Sequence, residues 1–94
     1  MRAGHLMRIS SYLEIAIISM WTSYPRTDLT IGMVEASIRH EGPGRKDEDL
    51  LERIRSLVEE AREYYAGDDF PAAMARMRVA QDLVDLRIVT ITEG

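Results

Sequence analysis

From Asp49 to Ile88 the apolar residues fall into two runs at helical spacing, separated by Gly67, Asp68 and Asp69. Leu50, Ile54, Leu57, Ala61 and Tyr64 recur at steps of four and three, and Phe70, Ala73, Met77, Ala80, Val84 and Ile88 do likewise. Such spacing lines one face of a 3.6-residue helix, so the two runs predict a helical hairpin with apolar stripes turned toward each other. Asp47 or Asp49 is the expected cap of the first hairpin helix, with Glu52 placed three residues after Asp49 as in a capping box. Gly67 closes that helix. Asp68 or Asp69 caps the next, and Pro71 falls in its first turn, where a missing N–H costs nothing.

Upstream, residues 1–5 read as a loose start. From Leu6 to Trp21 one stripe comprises Leu6, Ile9, Leu13, Ala16, Ile17 and Met20, while Tyr12, Ile15, Ile18 and Trp21 widen it to most of the circumference. A helix apolar on that many sides needs more than one neighbour to cover it. Pro25 then disfavours helix at Tyr24, and Thr27 or Asp28 can cap the second segment. Residues 29–40 carry two patterns. Leu29 to Met33 alternates like a strand, but Leu29, Met33 and Ala36, with Glu35 four residues before Arg39, fit a helix, and no second strand exists to pair with. Helix is the reading adopted. Gly42-Pro43-Gly44 ends it, and the β-branched close from Ile88 to Thr92 is expected to fray or to extend as a short edge segment.

Composition changes this picture in few places. Ninety-four residues make one helical domain, 1–94, near the lower limit at which a core holds without disulfides or metals. A 46% hydrophobic share beside 30% charge is ordinary for a globular chain, which excludes disordered and fibrous classes. With no cysteine, thiol catalysis and cysteine-ligated zinc are out, and a reducing cytoplasm is the expected compartment. The net charge of -4 supplies no field to attract phosphate backbones, so nucleic acid is not an expected partner. Nor is a membrane. Arg8 and Glu14 interrupt the first helix and leave an unbroken apolar run only from Ile15 to Ile18, against the ~20 residues a span requires. Trp21-Thr22-Ser23-Tyr24 makes a poor export cleavage site.

Two resemblances bear on the hairpin. Tyr64-Tyr65, Asp69-Phe70, Ala73-Met74, Met77 and Ala80 resemble the helix-turn-helix of a tetratricopeptide repeat, whose small residues let helices approach closely. Ala61 stands where that repeat has glycine and Asp85 where it has proline. Without a second copy, an array is not implied. Tyr65, Asp69-Phe70, Ala73-Met74, Met77, Ala80 and Leu83-Val84-Asp85 are also similar to the closing hairpin of an uncharacterised archaeal family of small all-helical proteins. That resemblance implies a helical bundle and no known activity, and it leaves residues 1–45 unmatched.

One cluster has chemical potential. Glu59, Glu60 and Glu63, with Asp82 on the next helix, resemble the metal-binding pattern of the MazG-like all-α nucleotide pyrophosphohydrolases. The resemblance implies Mg²⁺ held by carboxylates and polarising a phosphoanhydride. Val79 occupies the position, three residues before Asp82, of the glutamate in that family's second motif, however, and a Glu-Glu-x-x-Glu run is a common solvated helix face. The acidic face is therefore read as surface, with no cofactor, and the Mg-dependent hydrolase as the alternative. His40 is the only histidine expected in an ordered position, at a helix C-terminus that favours a cationic ring. Of Tyr64 and Tyr65, adjacent on one helix, only one can face the core.

The sequence thus specifies an all-α, antiparallel bundle of about four helices ending in a long hairpin. It is expected to act as a non-enzymatic interaction or oligomerisation module, with no catalytic residues. The first helix offers more apolar surface than so small a bundle can cover, which points to a homodimer or a protein partner meeting Ile15, Ile18 and Trp21.

Overall fold

The computed structural model describes residues 2–23, 25–40 and 47–93, without the side chains of Arg2, His40 and Glu93. They form four helices: α1 (Arg2–Trp21), α2 (Thr27–His40), α3 (Glu48–Ala66) and α4 (Phe70–Glu93). No strand occurs among the described residues. Each helix runs antiparallel to the next in an elongated body of 40 × 22 × 18 Å. The α3–α4 hairpin packs most extensively, α4 then lies along α1, α1 along α2, and α2 touches α3 least. Among the described residues the backbones of diagonal helices stay apart, and the four helices surround one shared core of side chains.

The stripe read on α1 is the stripe that is buried: Leu6, Ile9, Leu13, Ala16, Ile17 and Met20 are all 4% exposed or less. The helix begins at Arg2, so the expected loose start is corrected. His5 explains the difference. It is buried against α2, where its Nε2 donates to the Ser37 carbonyl at 2.9 Å, and this contact across the bundle holds the first turn. His5 is thus held in an ordered position. The expectation placed on the His40 ring lies outside the described residues, as does the turn through residues 41–46.

α1 closes with the Thr22 amide donating to Ile18 and Ser23 in the left-handed region at φ 57°. Thr27, 1% exposed, then ties the start of α2 back to α1 by donating its hydroxyl to the Ser19 carbonyl at 3.2 Å. α2 is a helix, as read, but its core face is not Leu29, Met33 and Ala36. Ile31, Val34 and Ile38 point inward, and the first three lie outside. Both sets are spaced for a helix, and Ile31, Val34 and Ile38 win because they bury more branched aliphatic surface than a set that includes alanine. Glu35 does not serve Arg39; it accepts from Arg62 of α3 at 2.7 Å.

On α3 the buried set is Leu51, Ile54, Val58 and Ala61, with Leu50, Leu57 and Tyr65 packed at its edges. The expected stripe shares Ile54 and Ala61 with it but is turned by one residue elsewhere. Asp47 occupies the N-cap position, yet its side chain makes no capping hydrogen bond and instead lies buried with Arg87 Nη1 at 3.9 Å. Asp49 falls inside the first turn and Glu52 turns to Arg55, so the capping box does not form.

At the hairpin turn, Gly67 is the C-cap of α3, and its amide donates to the Glu63 and Tyr64 carbonyls at 3.1 Å. The left-handed residue is Asp68, at φ 64°. Aspartate tolerates that region better than most residues, whereas a β-branched side chain does not. Asp68→Val is expected to lower stability by about 1–2 kcal/mol in urea titration, with an unchanged m-value. Asp69 caps α4 through Oδ1, which accepts from the Ala72 amide at 3.3 Å.

α4 buries Ala73, Met77, Ala80 and Val84 completely. It stays helical to Glu93, which corrects the frayed or extended close. Thr90 and Thr92 donate their hydroxyls back to the Leu86 and Ile88 carbonyls at 2.9 Å, satisfying themselves within the helix. Two polar pairs fix α1 against α4. Ser10 donates to Asp85 at 2.7 Å and Gln81 donates to Glu14 at 2.7 Å.

Candidate functional site

The carboxylates singled out on α3 and α4 do not converge. Glu59 accepts a hydrogen bond from Arg55, and Glu60 accepts from Arg76 Nε at 2.8 Å. Glu63 and Asp82 are exposed. Among the described residues no three or more histidine, aspartate or glutamate side chains stand where they could hold a metal ion. Glu59, Glu60, Glu63 and Asp82 are thus dispersed over an acidic surface threaded with arginines.

Electrostatics there follow the pairing. Hydrogen bonding to Arg55 holds the Glu52 carboxyl below its usual range, and Arg55 is pushed up, chiefly by the same bond. What this contact adds to stability is present above the unfolded carboxyl range and is lost as pH falls through the lowered folded value. Arg76 is raised by its hydrogen bond to Glu60, and its guanidinium stands 5.3 Å from the centre of the Tyr64 ring. Tyr64 faces outward under this cation, while Tyr65 packs on the core and against Phe70 with ring centroids 5.3 Å apart. Calorimetric titration with Mg²⁺ or Mn²⁺ is expected to give no saturable heat at micromolar concentrations. A signal that disappears in Glu63→Gln, together with nucleotide hydrolysis, would favour the hydrolase alternative.

Apolar surface is the stronger feature. Ile15, Ile18 and Trp21 are 43%, 51% and 76% exposed along one side of α1, separated by three residues each. On the adjoining helix, Leu29 and Met33 are nearly half exposed. Between α1 and α2 runs a groove of about 240 Å³ lined by Arg8, Tyr12, Met33, Ala36 and Ser37. A separate exposed set, Val79, Leu86 and Val89, lies on the outer side of α4.

Sequence reasoning names the α1 residues and misses those on α2 and α4. A signal for both is present. α2 carries two helical stripes and only one can be inside. On α4, Val79, Leu86 and Val89 repeat at seven and three opposite the core stripe.

No family model, no curated protein and no solved structure matches this chain. Among the described residues no helix is long and apolar enough to cross a membrane.

Proposed function

We propose that the protein is a non-enzymatic oligomerisation module whose copies meet through α1, with Ile15, Ile18 and Trp21 at the centre and Leu29 and Met33 of α2 beside them. The observation that supports this reading is Trp21, the only tryptophan in the chain, lying three-quarters exposed next to two half-exposed isoleucines. Tryptophan carries a large apolar area and is enriched where protein surfaces meet. A symmetric dimer would use the same face twice.

Fully burying one large aliphatic or aromatic side chain contributes about 1.5–3 kcal/mol, and these five begin about half exposed. Their burial would therefore supply several kcal/mol per copy, of the order of the ~4–15 kcal/mol that association costs. This predicts a dimer of moderate strength. The reading places it in the cytoplasm, where a chain without cysteine loses nothing to the reducing thiol pool.

Light scattering across a concentration series is expected to show the mass rising from one chain to two in the micromolar range. A constant monomer mass into the high micromolar range would reject self-association and leave a different protein as the partner of this face.

A further inference from the structure

Several hydroxyls in the bundle return to their own helix. Ser19 donates to the Ile15 carbonyl at 2.9 Å, Thr30 to Thr27 at 2.6 Å, and Thr90 and Thr92 to the carbonyls four residues back. Ser37 departs from this habit. It is 93% buried, its backbone carbonyl is occupied by His5, and its Oγ has no hydrogen-bond partner, a condition shared by no other buried side-chain polar atom among the described residues. Buried polar groups without partners are rare enough in folded proteins that each calls for a cause.

Ser37 also lines the groove between α1 and α2, together with apolar Tyr12, Met33 and Ala36 and the cationic Arg8. The groove's volume of about 240 Å³ lies below the ~300–1,000 Å³ of sites for larger ligands. It still exceeds the ~150 Å³ in which an apolar protein cavity takes up benzene. The space therefore suits a body of about six carbons. A guanidinium presents five donors in a fixed fork, so it can receive a carboxylate while keeping another contact.

We propose that this groove binds a small monocarboxylate. The apolar body lies against Tyr12, Met33 and Ala36, and the carboxylate accepts hydrogen bonds from the Arg8 guanidinium and, after rotation about its Cα–Cβ bond, from the Ser37 hydroxyl. Binding does not require self-association, because all five lining residues belong to one chain. Met33 is shared with the proposed interface, so the titration is run at a concentration where the protein is monomeric.

The test is an amide NMR titration of the full chain with benzoate and hexanoate, using benzyl alcohol and hexanol as uncharged controls. Saturable shifts are expected at residues 8, 12, 33, 36 and 37, with the alcohols binding roughly tenfold or more weakly, as loss of a charge-assisted pair implies. Arg8→Gln should weaken acid binding by a similar factor. Ser37→Ala should weaken it several-fold while melting no lower than the parent, since it deletes a hydroxyl that has no partner in the free protein. Four results would overturn the proposal: no saturable shift at these residues, equal binding of acid and alcohol, indifference to Arg8→Gln, or parent affinity in Ser37→Ala.

Discussion

Met77→Asp should leave the protein without a cooperative unfolding transition. Met77 is fully buried on α4 among Ala73, Ala80 and Val84, opposite the equally buried Ile54, Val58 and Ala61 of α3. Removing one partner of a buried ion pair, which strands a charge in the interior, costs about 3–5 kcal/mol, and aspartate at this position would be stranded in that way. The lost methionine packing adds about 2–5 kcal/mol, against the roughly 5–15 kcal/mol that holds an entire domain. In urea titration followed by circular dichroism, the parent is expected to show a single sigmoid and the variant a low, sloping signal. Val58→Asp should behave the same way. Leu57→Asp should not, because Leu57 sits half-buried at the rim and a carboxylate there can turn to water. A Met77→Asp protein melting within a degree or two of the parent would show that the hairpin stripes are not the core.

The contrast between Leu57 and Val58 marks where sequence patterning stops being informative. On α1 the buried stripe is legible in full, because Leu6, Ile9, Leu13, Ala16, Ile17 and Met20 are too many and too regular to face elsewhere. On α4, alanines alternating with Met77 and Val84 leave one face on which α3 can approach closely. α3 carries Leu50-Leu51 and Leu57-Val58, two adjacent apolar pairs, and periodicity cannot choose within such a pair. Which member is inside depends on where α4 lies, and that is decided by contacts between helices.

The same reason governs α2. Its helical character follows from spacing, but its orientation is set by His5 and Thr27 holding it to α1 and by Arg62 drawing Glu35 toward α3. The His5 and Arg62 links span 32 and 27 residues, beyond any local window, and the Thr27 link, 8 residues long, crosses the break between the two helices. The candidate surface is legible to the same extent. Ile15, Ile18 and Trp21 stand out as surplus to the α1 stripe, whereas the α1–α2 groove requires Arg8 and Met33 to be neighbours, which only the packed bundle reveals. The buried Asp47 and its approach to Arg87 are hidden likewise, since a cap near a helix start is the ordinary expectation for that aspartate.

Ile18→Glu is expected to abolish self-association while leaving the bundle folded. Half of the Ile18 side chain already faces solvent, and glutamate is a good helix former, so the substitution should cost the monomer little. In a dimer it would bring two carboxylates into an apolar interface, where an unpaired desolvated charge costs several kcal/mol. The dissociation constant should therefore rise by roughly a hundredfold or more, since each 1.4 kcal/mol is a factor of ten. Because Trp21 is the only tryptophan and lies beside Ile18, its fluorescence reports on this face alone. Concentrating the parent should shift the emission to shorter wavelength as the indole leaves water, whereas Ile18→Glu should keep the emission of an exposed indole at all concentrations with an unchanged helical spectrum. If the variant associates as the parent does, the contact lies elsewhere, and the outer set on α4 with Val79, Leu86 and Val89 becomes the surface to test, because it is a second set of large apolar side chains exposed among the described residues.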